Sequence, residues 1–217
     1  MRKASSCPEF LWHLDGNRKD LALLGETLEA YIPAAKIQRF DTYDKALQGI
    51  EVGEQSNAFP KVFVADRTGF CAPAEQTPFA YRIQASSPLT ISFLCSNSAY
   101  EDPAKIELWR TAHLIAADFR KHQIDQLAAI IAKCLQRWER PVLQQFRNYI
   151  LSECSDPETR YFPKDDYSEH LNVYDLHREM VLGTPLGLEQ EKAWDMVFNG
   201  SGELALALAK ANSSGEG

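Results

Sequence analysis

An α/β fold built on a doubly wound, five-stranded parallel sheet is the architecture this chain predicts, on three observations. Two apolar runs each end in an aspartate, Phe10-Leu-Trp-His-Leu-Asp15 and Lys61-Val-Phe-Val-Ala-Asp66. Each reads as a buried strand that delivers a carboxylate to the end of a sheet, where open α/β folds place their sites. Strand-like and helix-like segments then alternate through the first 138 residues, as in a parallel sheet covered on both faces. Finally, Gly16-Asn-Arg-Lys-Asp-Leu-Ala-Leu-Leu24 opens a helix directly after the first aspartate.

In that first helix Asn17 is the cap and Asp20 sits near the positive end of the helix dipole, while Leu21, Leu24, Leu28 and Ile32 share one face. A second strand is expected near Ala35–Phe40, and Asp41 is the cap candidate for the helix after it. The third strand ends at Asp66. Residues 67–88 contain three prolines and read as loop rather than helix. Leu89–Cys95 is the fourth strand. Asp102 and Pro103 make an N-cap and first-turn pair for a helix through about Arg110, and His113–Ala117 reads as a short fifth strand. Ile124, Leu127, Ala128, Ile131, Leu135 and Trp138 give the clearest amphipathic helix in the chain.

Beyond Pro141, the positions Val142, Phe146, Tyr149 and Ile150 support another helix. Residues 154–171 are polar and turn-rich. Asn172–Leu182 reads as helical and is stopped by Gly183, and Thr184-Pro185 starts a further helix carrying Trp194, Val197 and Phe198. A short helix is expected over Glu203–Ala211, before a terminus that frays. The expected organisation is an α/β domain over 8–138 and an acidic, mainly helical extension over 139–217.

Composition limits the functional classes. With 45% hydrophobic and 24% charged residues, the 217-residue chain is globular in character. Apolar runs such as Leu127 to Ala132 are too short to span a membrane, and the start of the chain lacks the apolar stretch of a secretory signal; a cytoplasmic location is expected. Five widely spaced cysteines without a C-x-x-C favour reduced thiols. His170 and His177, close in sequence to Asp165, Asp166, Glu169 and Asp175, read as part of a solvated acidic loop rather than a metal site. Residues 139–217 hold 7 Lys/Arg against 14 Asp/Glu, so the whole net charge of −7 lies there. Such a segment repels DNA, which binds clustered cations.

The order of segments and the two aspartates resemble the receiver domain of two-component response regulators, the CheY-like branch of the flavodoxin-like fold, over about residues 8–138. The resemblance implies an acidic pocket that holds magnesium and accepts a phosphoryl group. Asp66 matches the phosphoacceptor position. The family's acidic pair becomes Asp15-Gly16, with glycine where the direct metal ligand usually stands. The family's hydroxyl position falls on Cys95, with Ser96 beside it. Its lysine position falls on Ala117 and its proline on Asp118, before a matching Phe119, and its aromatic switch position falls on Leu114. Phosphoryl transfer to a carboxylate gathers negative oxygens, and catalysis consists largely of neutralising and aligning them. Magnesium needs a near-octahedral oxygen shell, a thiol is a weak donor, and a lost lysine removes a point charge.

The sequence therefore predicts a degenerate receiver: no catalytic residue, no cofactor, and at most weak magnesium binding at Asp15 and Asp66. It acts through contacts with a protein partner or a second copy of itself, not with nucleic acid or membrane. Trp109, Phe119, Trp194 and Phe198 are the interface candidates, and apolar material around Ile106, Leu108, Trp109, Phe119 and Ile124 lies where the family signals. Each residue also has a plainer reading. Asp66 caps a turn or pairs with Arg67, Asp15 is a turn residue, Cys95 is a core thiol, and the tryptophans pack. Two alternatives stand beside the main one: a true phosphorylation-controlled regulator using Asp66, and an accessory domain of a larger enzyme assembly. No nucleophile–base pair or glycine-rich phosphate loop supports the last.

Overall fold

The computed structural model describes residues 10–33, 36–56, 58–70, 79–97, 103–112, 114–153 and 173–183. The chain divides into two compact units, residues 1–135 and 136–217.

The first unit contains β1 (Phe10–Leu14), α1 (Arg18–Tyr31), β2 (Lys36–Phe40), α2 (Tyr43–Ser56), β3 (Val62–Ala65), α3 (Arg67–Phe70), α4 (Phe79–Ser86), β4 (Ile91–Cys95), α5 (Pro103–Thr111) and β5 (Ala117–Phe119). A 3-10 turn over Lys121–Gln123 leads into α6 (Ile124–Trp138). The five strands are parallel and ordered β2-β1-β3-β4-β5. That is the doubly wound order of the flavodoxin-like, receiver-type fold, with its switch point between β1 and β3.

Strand side chains alternate between the two faces. Trp12, Leu14, Phe63, Ala65 and Leu94 join Tyr43, Ala46, Ile50, Phe70, Phe79, Ile83, Ile106 and Trp109 in one buried cluster. Trp12 meets Phe40 edge-on, with ring centres 5.4 Å apart, and Phe63 lies 5.1 Å from Phe79. Each of these large side chains contributes about 1.5–3 kcal/mol by leaving water. Leu11, Val62, Val64, Ile91 and Phe93 are buried outside that cluster, as are Leu21, Leu24 and Leu28 of α1 and Leu127, Ala128 and Ile131 of α6. Both faces of the sheet are therefore covered.

Three expectations change. The stretch 67–88 holds two short helices, α3 and α4; Phe79, Ala80 and Ile83 form the buried stripe of α4, and Pro88 lies beyond its end. Thr42, not Asp41, is the side chain that caps α2, accepting the Lys45 N–H at 3.3 Å, while Asp41 binds Lys45 and Arg18. The fifth strand is Ala117–Phe119, not His113–Ala117. Leu114 and Ile115 are apolar because they plug the core ahead of the strand, with Leu114 N–H on Trp109 O at 2.8 Å. The expected cap Asp102 and the first residue expected in the later helix, Asn172, lie outside the described residues.

The described part of the second unit centres on α7 (Pro141–Glu153) and α8 (Val173–Leu182). Gly183 ends α8 in the left-handed region at φ 66°, its N–H on Glu179 O at 2.8 Å. The Arg137 guanidinium donates to the last carbonyls of α8, those of Val181 (3.3 Å) and Leu182. A Cβ at Gly183 would sit 2.2 Å from that guanidinium. His177 is buried in α8 rather than placed on a solvated loop. The helix expected after Thr184, with Trp194 and Phe198, lies outside the described residues. No helix among the described residues is long and apolar enough to cross a membrane.

Candidate functional site

β1 and β3 are neighbours whose last paired residues are Leu14 and Ala65. The next residue on each is an aspartate, so Asp15 and Asp66 stand side by side at the carboxyl edge, roughly one strand spacing (about 4.8 Å) apart. Backbone bonds continue the ladder through them: Asp15 N–H donates to Phe40 O at 3.1 Å, and Asp66 N–H to Leu14 O at 3.0 Å. Asp15 is buried and Asp66 half-buried. Oδ1 of Asp15 accepts the Asn17 N–H at 2.8 Å, and Oδ1 of Asn17 accepts the Lys19 N–H at 3.0 Å, capping α1 as expected. Asp15 thus serves as a turn residue and as a pocket acid at once. Gly16, beside it, has nothing within 4 Å of where a Cβ would be.

β4 delivers Cys95 and Ser96 to the same edge, both buried, with Ser96 N–H on Phe119 O at 2.9 Å. Burial pushes the Cys95 thiol up to about 12; Lys121 opposes the shift, and Asp15, Asp20 and Asp66 add to it. A thiol raised so far stays protonated and unreactive at neutral pH.

The pocket also contains a cation. Lys121 follows β5 by two residues, and its N–H donates to Oδ1 of Asn97 at 3.1 Å. Its Nζ lies 2.9 Å from Oδ2 of Asp15 and 3.2 Å from Oδ1, and it also binds the Asp20 carboxylate. Burial raises Asp15 above the ordinary carboxylate range, aided by Asp66 and opposed by the Asn17 N–H and by Lys121. Burial works against the Lys121 cation, but hydrogen bonds to Asp20 and Asp15 outweigh it and hold the ammonium above its ordinary value.

No lysine lies within His113–Phe119, but the register Cys95↔Phe119 ends β5 later than its apolar run suggested, and Lys121, just past that end, is the cation brought to Asp15. Asp118 does not load the pocket with charge; Arg110 of α5 binds its carboxylate. His13 of β1, buried two residues before Asp15, went unnoticed in the sequence. Burial, together with Lys121 and Arg39 and against Asp20, drives it down to about 3, so it is neutral.

Two interface candidates are core residues. Trp109 is 5% exposed with its ring 5.3 Å from Phe70, and Phe119 is 7% exposed beside Phe93. Ile106 and Ile124 are buried as well; of that apolar set only Leu108 faces solvent. The apolar side of α5 completes the core instead of offering a surface.

Among the described residues no group of three His, Cys, Asp or Glu side chains is arranged to hold a metal ion. Gly16 brings no side chain to this edge, and the Lys121 ammonium sits on the Asp15 carboxylate.

No protein-family model and no curated protein sequence matches the chain. Solved structures do. One is the phosphorylated cyanobacterial phytochrome response regulator RcpA, at 16% identity over 59% of this chain and 94% of that one, TM-score 0.45. Another is the signal receiver domain of NarL from Mycobacterium tuberculosis, at 17% identity over 58% and 97%, TM-score 0.42. The RcsB response regulator of Salmonella typhimurium matches at 15% identity over 86% and 98%, TM-score 0.42.

Proposed function

We propose that this chain is a non-enzymatic, receiver-type signalling module that works through protein contacts with little or no aspartyl phosphorylation. The observation that carries this reading is Lys121: the buried carboxylate of Asp15 is engaged by the chain's own ammonium, which it shares with Asp20. Phosphoryl transfer to Asp66 needs a divalent cation to gather the incoming oxygens. Here one carboxylate of the usual pair is absent at Gly16, and the remaining one is engaged by Lys121. Magnesium binding is at most weak. With the pocket closed to chemistry, regulation passes to contacts with a partner protein or a second copy of the chain.

A second reading, phosphorylation control at Asp66, draws support from the same lysine, since a released Lys121 would supply a cation to phosphoryl oxygens. Intact-mass spectrometry after acetyl phosphate and magnesium treatment separates the two. The expected result is an unmodified chain. Stoichiometric gain of one phosphoryl group, lost in Asp66→Asn, would overturn the first reading and establish the second.

A further inference from the structure

We propose that the second unit carries a proton-operated latch, in which protonation of the buried His177 releases the packing of α8 against Trp138 and α7. This inference is independent of the pocket chemistry.

The His177 ring is fully buried. It meets Trp138 edge-on with ring centres 5.0 Å apart, and it lies 6.3 Å from Phe146 of α7. Neither ring nitrogen has a hydrogen-bond partner among the described residues. A neutral imidazole always carries one N–H and one lone pair, and burying both unpaired is unfavourable. The ring stays because the aromatic contacts hold it there. A second proton turns a tolerated polar group into an unpaired buried charge.

The neighbouring charges oppose that proton. From α7, the Arg147 guanidinium lies 4.7 Å over the Trp138 ring and donates to Trp138 O at 2.7 Å. From α8 comes Arg178, buried and bonded to Asp175 at 2.8 Å. At the end of α6, Arg137 binds the carboxyl end of α8. The acids are Glu139, between α6 and α7, which accepts from Gln144 at 3.3 Å and acts on Arg147; Asp175 and Glu179 of α8; and, at the far ends of their helices, Asp125 of α6 and Glu153 of α7. None of the described acids bonds to the imidazole, while two arginines repel its charged form.

Burial, reinforced by Arg147 and then Arg178, holds His177 down to about 3. An opened unit returns the ring to its ordinary value near 6.5. The closed form thus binds fewer protons than the open form between those limits. Its stability is intact above about pH 6.5 and falls on acidification until about pH 3, with the opening equilibrium rising roughly tenfold per pH unit. From pH 7.5 to 5 the open population rises about 30-fold through this group alone.

Hydrogen exchange on the full chain, corrected for the intrinsic pH dependence of amide exchange, tests this in peptides covering 141–153 and 173–183. The expected result is an opening equilibrium about 30-fold larger at pH 5 than at 7.5 in the wild type, and a response reduced about 30-fold in His177→Leu. An equal pH response in both proteins, or none in the wild type, would overturn the proposal. Should His177→Leu not fold, ring-resolved NMR titration of the wild type decides. A His177 that remains neutral in the folded protein down to pH 5 supports the latch, and one that titrates near 6.5 without opening overturns it.

Discussion

Replacing Lys121 by methionine keeps the length of the side chain and removes its charge, so it isolates what the ammonium does. The Asp15 side chain is 2% exposed and that of Lys121 is 23% exposed. Removing one partner of a fully buried pair costs about 3–5 kcal/mol, and an exposed pair is worth about 0–1 kcal/mol. The half-shielded geometry here lies between, at about 2 kcal/mol, or roughly 6–8 °C for a unit of this size. The sign with pH follows from Asp15, whose carboxyl is raised in the folded state. Its ionisation costs stability as pH rises, and without Lys121 the cost grows. The defect of Lys121→Met should therefore be largest near pH 7.5 and shrink as the pH falls toward about 4.5, where Asp15 protonates more readily. Urea denaturation followed by circular dichroism at both pH values measures it. Adding Asp15→Asn to Lys121→Met should recover most of the loss, since no charge is then left buried. A loss below about 0.5 kcal/mol in the single variant, or strict additivity of the two substitutions, would refute the assignment of Lys121 as the cation that engages Asp15.

Magnesium titration followed by amide shifts near Asp66 should show no saturation at low millimolar concentration; saturation abolished by Asp66→Asn would contradict weak binding. Gly183→Ala puts a Cβ into the Arg137 guanidinium at a positive φ and should destabilise the second unit by about 1–2 kcal/mol, read from hydrogen exchange in α8. Arg110→Ala breaks the half-exposed pair with Asp118 and should cost less than about 1 kcal/mol by the same urea assay, setting it apart from Lys121→Met.

The fold was legible because each central strand announces itself. Val62–Ala65 is buried on both faces and appears as an unbroken apolar run, and Ile91–Cys95, equally buried, is interrupted only by Ser92. Asp15 and Asp66 were legible for the same reason, as the carboxylates that end such runs, the first of which is interrupted only by His13. β5 was not. Its three residues include Asp118, and the apolar signal beside it belongs to Leu114 and Ile115, which enter the core without joining the sheet. Misplacing that strand hid Lys121, whose importance comes from contacts more than 100 residues away in the chain. The one sequence cue was a lysine just past Phe119, visible only once the strand is set in register with β4. Trp109 and Phe119 misled because a large aromatic reads alike in a core and at an interface, and only burial distinguishes them.

The open space beside Gly16 leaves the edge of the pocket free to take a side chain. A β-carbon there meets nothing within 4 Å, and the residue is exposed. Gly16→Asp would therefore set a second carboxylate beside Asp15 without a β-carbon clash. A cation drawn to it would still compete with the Lys121 ammonium at Asp15.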